Sequence, residues 1–505
     1  MAIPVEAFFL ASGGAGTLQS RIRAMVTEGI LSGRFRPGQR MPSSRGLAAH
    51  LGISRITVTL AYGDLVSSDY LTARGRSGYF VSDNAPRAPE FPSPARPAEE
   101  VDYTAFSGGR FSAAMRAVER PMDWESYPWP FIYGQTDPSL FDHQNWRACA
   151  LRALGRRDFP TLTSDFYERD DPALIEQVLR VILPRRGIAA GAEEVLLTMG
   201  AQNALWIAAQ VLLGQGGRRR RAVVENPCYP GQRRILDVSG AEILPIDVDE
   251  AGLPPSGTPG SNPGAFGRPG RGDVVFVTPS HQCPTNATMP LERRLALLAA
   301  ASREDFVIVE DDYEFEMSFL KPVSPALKSL DQAGRVIYAG SFSKSIFPGM
   351  RLGYLVGPPG FIAEARALRS MVLKHPPGHI QRTVAYFLAE GHYDALINRM
   401  RNAFRRRRQV MEEAILEQGQ RIAGQGGFGG SAFWMAAPEG VDTAVLARNL
   451  RAEGVLIEPG RNFFDPGRAR MNFYRLAYSS IQPARIPEGI FRIGRAIRAL
   501  EARAG

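Results

Sequence analysis

A lysine in a short hydroxyl-rich loop gives the strongest chemical signal of the sequence. Residues 336–339, Val-Ile-Tyr-Ala, are an apolar run typical of a buried strand, and Ser341, Ser343 and Lys344 follow it, with Arg351 seven positions further on. Hydroxyl and guanidinium groups can hold a phosphate, and a lysine amine can form a Schiff base with an aldehyde. Only four of the 60 basic residues are lysines. The loop therefore predicts a pyridoxal phosphate site.

Two other strand ends carry residues that suit the same cofactor. Thr198 to Asn203 predicts a strand-to-helix turn, in which Gly200 lets the backbone approach a phosphate. Residues 310–313, Glu-Asp-Asp-Tyr, end another apolar run, where a carboxylate can pair with a pyridine nitrogen and a phenol can bond the ring oxygen. The acidic run also fits a magnesium site, although no histidine or cysteine cluster supports a metal. Tyr229 can cover the ring, but it is equally well explained as a core aromatic residue. Arg475 can bind a ligand carboxylate, although an arginine in such a strand is usually structural.

The first 82 residues predict a small basic helical module with a two-stranded wing. Ser43 or Ser44 can cap a second helix that Gly52 ends, and Ser54 can cap a third. The module contains nine arginines, no lysine and four acidic residues, a net charge of +5. A capped helix with basic and hydroxyl side chains at its start indicates a DNA-binding helix-turn-helix, with a helical interaction module as the alternative.

Length and composition limit the classes of protein that fit. At 505 residues the chain is too long for one hydrophobic core, and its charge of +9 permits a nucleic-acid partner without requiring one. The cysteines, Cys149, Cys228 and Cys283, lack metal-like or CxxC spacing, which favours a reducing cytoplasm. No apolar run is long enough to span a membrane and the N-terminus does not resemble a signal peptide, so we expect no membrane association.

The remaining chain predicts a linker and a large α/β domain. Residues 83–130 form a proline-rich linker and an aromatic arm that we expect to lie on the next domain. Residues 131–505 alternate strand-like and helical stretches, which predicts a mainly parallel central sheet between helical layers. Strand-like runs late in the chain predict a smaller α+β subdomain over about 375–505.

Three N-terminal segments identify the basic module with a known family. Residues 34–48 read RFRPGQRMPSSRGLA, residues 54–58 read SRITV, and residues 75–81 read GRSGYFV. Together they resemble the GntR winged helix-turn-helix. The resemblance implies binding of double-stranded operator DNA, with contacts from Arg45, Ser54, Arg55 and Thr57 and, on the wing, from Arg76 or Ser77.

The rest of the chain resembles fold-type I pyridoxal phosphate enzymes of the aspartate aminotransferase type. With the winged module it looks like the MocR subfamily of GntR regulators, above all in TPSHQ at 278–282 and SFSK at 341–344. The resemblance spans almost the whole chain and implies a homodimer. It also implies these roles: Lys344 forms the Schiff base, Asp311 pairs with the pyridine nitrogen, Tyr313 bonds the ring oxygen, Gly200, Ala201, Gln202, Ser341, Ser343 and Arg351 hold the phosphate, Tyr229 stacks on the ring, and Arg475 clamps a carboxylate.

Several positions depart from the MocR and aminotransferase patterns. Residues 283–287, Cys-Pro-Thr-Asn-Ala, stand where relatives often have an aromatic residue and a glycine. Gly231 lies at a place where some relatives carry an arginine that contacts ligand. Residues 161–169 lack the glycine-bearing tyrosine loop of aminotransferases, which weighs against ordinary transamination.

The resemblance leads to a main hypothesis and its rivals. The main hypothesis is a regulator in which an amine or amino acid forms an external aldimine in place of Lys344. The first rival is an active aminotransferase with an accessory winged module, and the second is a regulator of pyridoxal phosphate itself. Sensor and enzyme need the same residues around the cofactor, so the fused GntR-like module is what favours the regulator.

Overall fold

The computed structural model describes residues 2–10, 16–86, 102–109, 111, 121–164, 169–214, 220–254, 269–424 and 426–504. The chain divides into two units, Met1–Phe106 and Ser107–Gly505. Residues 87–101, 110 and 112–120 of the predicted linker and arm lie outside the described ranges, as do residues 165–168 of the segment that lacks the tyrosine loop. The domain boundaries at 82 and 130 stay predictions.

The elements are numbered here in chain order. The strands are β1 Leu71–Ala73, β2 Tyr79–Val81, β3 Trp129–Pro130, β4 Val195–Thr198, β5 Arg221–Asn226, β6 Glu242–Asp247, β7 Val274–Val277, β8 Val307–Asp312, β9 Val336–Ser341, β10 Gly353–Val356, β11 Arg421–Ile422, β12 Ala432–Ala436, β13 Val455–Leu456, β14 Glu458–Pro459 and β15 Phe473–Ala477. The helices are α1 Leu18–Leu31, α2 Ser44–Leu51, α3 Arg55–Ser67, α4 Tyr103–Ser107, α5 His143–Ala153, α6 Phe159–Leu162, α7 Pro172–Gln177, α8 Ala201–Leu213, α9 Pro230–Ser239, α10 Leu291–Glu304, α11 Leu327–Leu330, α12 Pro359–Leu373, α13 Gly378–Ala389, α14 His392–Glu417, α15 Thr443–Ala452 and α16 Ile486–Ala504.

The first unit is the predicted winged helix-turn-helix. The Ser43 hydroxyl accepts a hydrogen bond from the Gly46 amide at the start of α2, and the Ser54 hydroxyl accepts one from the Ile56 amide at the start of α3. One side of α3, formed by Val58, Ala61, Tyr62 and Leu65, is buried and packs with α1 and α2 in one core. Strands β1 and β2 pair antiparallel and form the wing. Local capping and helical periodicity therefore confirm the fold predicted for this module.

A seven-stranded sheet, in the order β4-β10-β9-β8-β7-β5-β6, is the centre of the second unit. Only β10 runs antiparallel to its neighbours, so the mainly parallel sheet is confirmed. Side chains of one strand alternate between two cores: Ala222 and Val224 pack on one face, and Val223 packs on the other. Helices therefore cover both faces, as a parallel sheet requires.

A second sheet, in the order β11-β12-β15-β14, forms the smaller C-terminal subdomain and is antiparallel throughout. The aromatic arm joins this part of the chain, because β3 pairs parallel with β13 and the Arg492 guanidinium lies 4.2 Å from the centroid of the Trp129 ring. Within the described helices, none combines the length and apolar character needed to cross a membrane.

Candidate functional site

The predicted cofactor residues meet at one edge of the seven-stranded sheet. Asp311 lies near the carboxyl end of β8, Ser341 ends β9, and Lys344 follows in the loop after β9. Gly353 at the start of β10 pairs with both Ser341 and Thr198, which brings the turn after β4 beside the lysine loop. Ligands of open α/β folds bind at the carboxyl ends of parallel strands.

A small polar cup lies between the turn after β4 and the lysine loop. Gly200 has φ +83°, and a Cβ there would lie 3.2 Å from Arg351 Nη2 and 3.4 Å from Ser343 Oγ, so only glycine fits without crowding. The Arg351 guanidinium donates to the Met199 carbonyl at 3.1 Å, and the Ser343 amide donates to Ser341 Oγ at 3.2 Å. Ser343 Oγ is buried and has no hydrogen-bond partner among the described residues.

The Ser343 hydroxyl is therefore a polar group that needs a ligand acceptor or donor. Because α8 begins at Ala201, the amides of its first turn, including those of Ala201 and Gln202, have no partner inside the helix. A helix N-terminus beside a hydroxyl and a guanidinium fits a phosphate group.

Asp311 is a buried carboxyl group beside this cup. Its Oδ1 atom has no hydrogen-bond partner among the described residues. Burial raises the pKa of Asp311 to about 7, the neighbouring Asp312 and Glu225 carboxyls add to this rise, and Lys344 opposes it. A protonated pyridine nitrogen would supply the missing partner and favour the ionised carboxylate. The residues present therefore fit pyridoxal phosphate.

The three carboxylates at 310–312, which also suit a magnesium site, have different surroundings along β8. Glu310 accepts hydrogen bonds from the amides of Leu327 and Lys328, at 2.8 Å each. Asp312 accepts a bond of 2.6 Å from Arg186 Nε, and Arg186 is fully buried. Since successive side chains of a strand point to opposite faces, Asp311 differs from both neighbours in its surroundings. This arrangement does not gather the three carboxylates around one ion.

A cluster that contains several aromatic rings lies near Asp311. Tyr229, Tyr313 and Cys283 belong to one apolar cluster, which also contains Trp434 and Phe463. Burial raises the pKa of the Tyr313 phenol well above its ordinary value, so that phenol stays protonated and can donate a hydrogen bond. Burial also raises the pKa of the Cys283 thiol, to about 12, which keeps this thiol neutral.

Asn286, in the segment that departs from the MocR pattern, has an unusual backbone conformation. Asn286 has φ +57°, a left-handed conformation that asparagine tolerates better than most residues. Its side-chain amide also donates to the carbonyl of Ala432 in the small subdomain. The asparagine side chain therefore links this turn to the small subdomain.

Tyr133 lies between the lysine and the candidate carboxylate clamp, and the sequence did not single it out. The Lys344 Nζ atom is 4.4 Å from the centroid of the Tyr133 ring, and the Arg475 guanidinium carbon is 4.1 Å from the same centroid. The Tyr133 hydroxyl donates to Glu314 at 3.2 Å. The next residue, Gly134, has φ +84°, and a Cβ on it would be 2.6 Å from Lys344 Nζ. Segment 133–134 thus forms one wall of the site.

Arg475 already has an internal carboxylate partner, Glu458. The two residues are paired in register on β15 and β14, and Arg475 Nε donates to Glu458 Oε2 at 2.8 Å. The Tyr133 amide donates to the same oxygen at 3.1 Å. Burial alone would lower the pKa of Arg475, but Glu458 and the other neighbouring groups together outweigh burial and raise it. Glu458 therefore fixes the position of a permanently charged guanidinium.

The predicted DNA-contacting residues lie on the surface of the winged unit. Arg45, Ser54, Arg55, Arg76 and Ser77 are exposed and Thr57 is half-buried. The Ser54 hydroxyl serves as the cap of α3. The hydroxyl of Thr59 donates to the Arg55 carbonyl at 3.0 Å.

Comparisons with known proteins agree with both units. The family described as bacterial regulatory proteins, gntR family, matches residues 18–81, and the family aminotransferase class I and II matches residues 149–476. The chain is 64% identical to the HTH-type transcriptional regulator TauR of Rhodobacter capsulatus, over 99% of this chain and 100% of that protein. It is 29% identical to the probable rhizopine catabolism regulatory protein MocR of Rhizobium meliloti, over 94% of this chain and 92% of that protein. The chain belongs to the MocR-type GntR regulators.

The fold of this MocR-type chain is shared with aminotransferases of known structure. The α-aminoadipate aminotransferase LysN from Thermus thermophilus, complexed with N-(5'-phosphopyridoxyl)-L-leucine, has 26% identity and a TM-score of 0.69, covering 80% of this chain and 100% of that chain. The class I and II aminotransferase fold implies dependence on pyridoxal phosphate, and the GntR module implies DNA binding.

Proposed function

We propose that the protein is a cytoplasmic, homodimeric transcription regulator that carries pyridoxal phosphate and senses an amine or amino acid. One observation carries the proposal: Lys344 belongs to the same sheet edge as Asp311 Oδ1 and Ser343 Oγ, two oxygens that have no hydrogen-bond partner in the part of the chain that the structure describes, and the chain also has a GntR module. The bound cofactor would supply an aldehyde that condenses with amines. Lys344 would hold that aldehyde in the resting protein, and an effector amine would take its place and release the lysine amine.

Each residue of the site has a proposed part in holding the cofactor. Asp311 pairs with the pyridine nitrogen, Tyr313 bonds the ring oxygen, and Tyr229 covers the ring. The phosphate is held by backbone and side-chain groups of the cup, namely Gly200, Ala201, Gln202, Ser341, Ser343 and Arg351.

Arg475 is the proposed anchor for an acid group of the effector. Glu458 bonds its Nε atom, and the rings of Tyr133 and Phe463 lie 4.1 and 4.6 Å from its guanidinium carbon. A guanidinium held by Nε can turn its terminal nitrogens toward an acid group, and the one contact made by Nη1, with Cys283 Sγ at 3.8 Å, involves only a weak acceptor. An effector that takes the place of Lys344 and is anchored by Arg475 would shift a conformational equilibrium by its difference in affinity for the two states.

A working aminotransferase remains the second candidate, since the likeness to LysN extends through the cofactor-binding fold. In that case Lys344 would also transfer a proton after the exchange of amines. A regulator that responds to pyridoxal phosphate itself would use the same residues without an amine effector.

The visible spectrum of the purified protein separates these candidates. We expect a cofactor absorption band that one amine or amino acid from a panel shifts stably. Rapid conversion of the cofactor to its amine form, reversed by a keto acid, would make the protein an aminotransferase first. A band that no panel member shifts would favour sensing of the cofactor itself, and failure to bind the cofactor after reconstitution would refute all three.

Ser343→Ala is expected to separate cofactor affinity from stability. The buried Ser343 hydroxyl has no partner among the described residues, so its removal should leave the unfolding midpoint of cofactor-free protein unchanged or slightly higher. Affinity for pyridoxal phosphate should fall about 10- to 100-fold, as expected for a hydrogen bond to a charged group. Ser345→Ala is the matched control, because the Ser345 hydroxyl bonds the Phe342 carbonyl and should affect stability alone. Equal cofactor affinity in wild type and Ser343→Ala would contradict the proposed cup.

Alanine variants of Arg55 and Arg351 are expected to affect DNA binding and cofactor binding separately. Arg55→Ala should weaken DNA binding at least tenfold, because an exposed arginine at the start of α3 contacts phosphate or guanine, yet leave the cofactor band intact. Arg351→Ala should release cofactor and leave DNA affinity of the cofactor-free protein unchanged. Fluorescence anisotropy and absorbance measure the two properties on the same samples. Loss of cofactor in Arg55→Ala would overturn this division.

A further inference from the structure

The outward face of α3 carries two exposed aliphatic side chains in a basic module. Ile56 is 70% exposed and Leu60 is 52% exposed, and the two are four residues apart on one side of the helix. The opposite side of α3 is formed by Val58, Ala61, Tyr62 and Leu65, all at most 2% exposed. Neither aliphatic side chain belongs to the core of the winged unit.

Charge favours DNA over a protein surface as the occupant of this face. Ile56 directly follows the exposed Arg55, and the exposed Arg45 lies on the preceding helix. The first 82 residues have nine arginines and four acidic residues. A protein partner for this face would need many acidic groups around an apolar centre, whereas a DNA groove presents phosphates on both sides of the base edges.

The major groove offers one apolar group, the C5-methyl of thymine. Residues four apart in a helix are separated by about 6 Å along its axis, close to two base-pair steps of about 3.4 Å. We propose that Ile56 and Leu60 read thymine methyl groups about two base pairs apart in each half-site. The proposal rests on the DNA-binding role proposed above and adds the class of base that is recognised.

Deoxyuridine tests this proposal with an atomic change, because it lacks only the methyl group of thymine. The full-length protein would first select a duplex from a random library, and each thymine of that duplex would then be replaced singly by deoxyuridine. Loss of one methyl contact should weaken binding about fourfold, measured by anisotropy at fixed salt. Two positions in each half-site should show this penalty.

Alanine variants show which side chain contacts the methyl group at each position where deoxyuridine weakens binding. Ile56→Ala should weaken binding of the thymine duplex by a similar factor and abolish the penalty at one position, and Leu60→Ala should do so at the other. Leu31→Ala is the control, since Leu31 is an exposed aliphatic residue at the end of α1 and should leave both penalties unchanged. Arg55→Ala should weaken all duplexes and preserve both penalties.

Three results would overturn the proposal. The first is a selected duplex without thymine in its half-sites, or one in which no deoxyuridine weakens wild-type binding. The second is a penalty that persists in both alanine variants. The third is a change in the sedimentation of DNA-free Ile56→Ala or Leu60→Ala, which would assign this face to a contact between protein copies. Failure to select any duplex would instead refute the DNA-binding role itself.

Discussion

Lys344→Ala is expected to eliminate covalent attachment of the cofactor. Wild-type protein incubated with pyridoxal phosphate and reduced with borohydride should gain one adduct, located on the peptide that contains Lys344. The variant should gain none, because the other lysines lie elsewhere: Lys321 and Lys374 are exposed, and Lys328 lies 3.7 Å from Asp331. Mass spectrometry of the digested protein measures both outcomes.

The control for this experiment is Lys321→Ala, which removes an exposed lysine near the Phe428 ring and should keep the adduct. An adduct of equal yield on another lysine, in both wild type and Lys344→Ala, would contradict the assignment. Loss of the adduct together with loss of the folded far-ultraviolet spectrum would require the experiment to be repeated with Lys344→Arg, which keeps the positive charge beside Tyr133.

Asp311→Asn is expected to change both the pH dependence of stability and the affinity for cofactor. In cofactor-free protein, burial raises the pKa of Asp311 to about 7, against about 3.9 in an unfolded chain. Between these two pKa values the folded state binds more protons than the unfolded state, so the stability of the fold decreases as the pH rises from about 4 to about 7. The loss is on the order of a few kcal/mol. The asparagine variant should lose less stability over this range.

The cofactor should reverse this trend at the same residue. A pyridinium nitrogen favours the ionised carboxylate, so pyridoxal phosphate should raise the unfolding midpoint of wild type more at pH 8 than at pH 5. Asp311→Asn should bind cofactor about 10- to 100-fold more weakly, because a charged hydrogen bond is lost.

Glu316 supplies the matched control for Asp311. Burial also raises its pKa to about 7, but it accepts a hydrogen bond from the Tyr393 hydroxyl at 2.6 Å and is not a predicted cofactor ligand. Glu316→Gln should flatten the pH dependence and leave cofactor affinity unchanged. A cofactor affinity that drops equally in both variants would show that Asp311 acts only through stability.

The winged module and the strand ends could be predicted because their signals are local. A capping serine such as Ser54 bonds an amide two or three residues away, and an apolar run such as 336–339 forms a strand whichever neighbours it pairs with. Polar residues that follow such runs meet at one sheet edge whenever the strands are parallel. The fold class and the grouping of Lys344 and Asp311 therefore follow from sequence.

Only the tertiary structure identifies the other residues that surround the site. Tyr133, Glu314 and Glu458 come from distant parts of the chain, and each has an ordinary local sequence. Glu458 belongs to a two-residue strand, and its pairing with Arg475 depends on the register between β14 and β15. The exposure of Ile56 likewise depends on which side of α3 the other helices cover. Local patterns specify which elements form and which residues end them, whereas contacts across the fold depend on packing and register, which no single segment encodes.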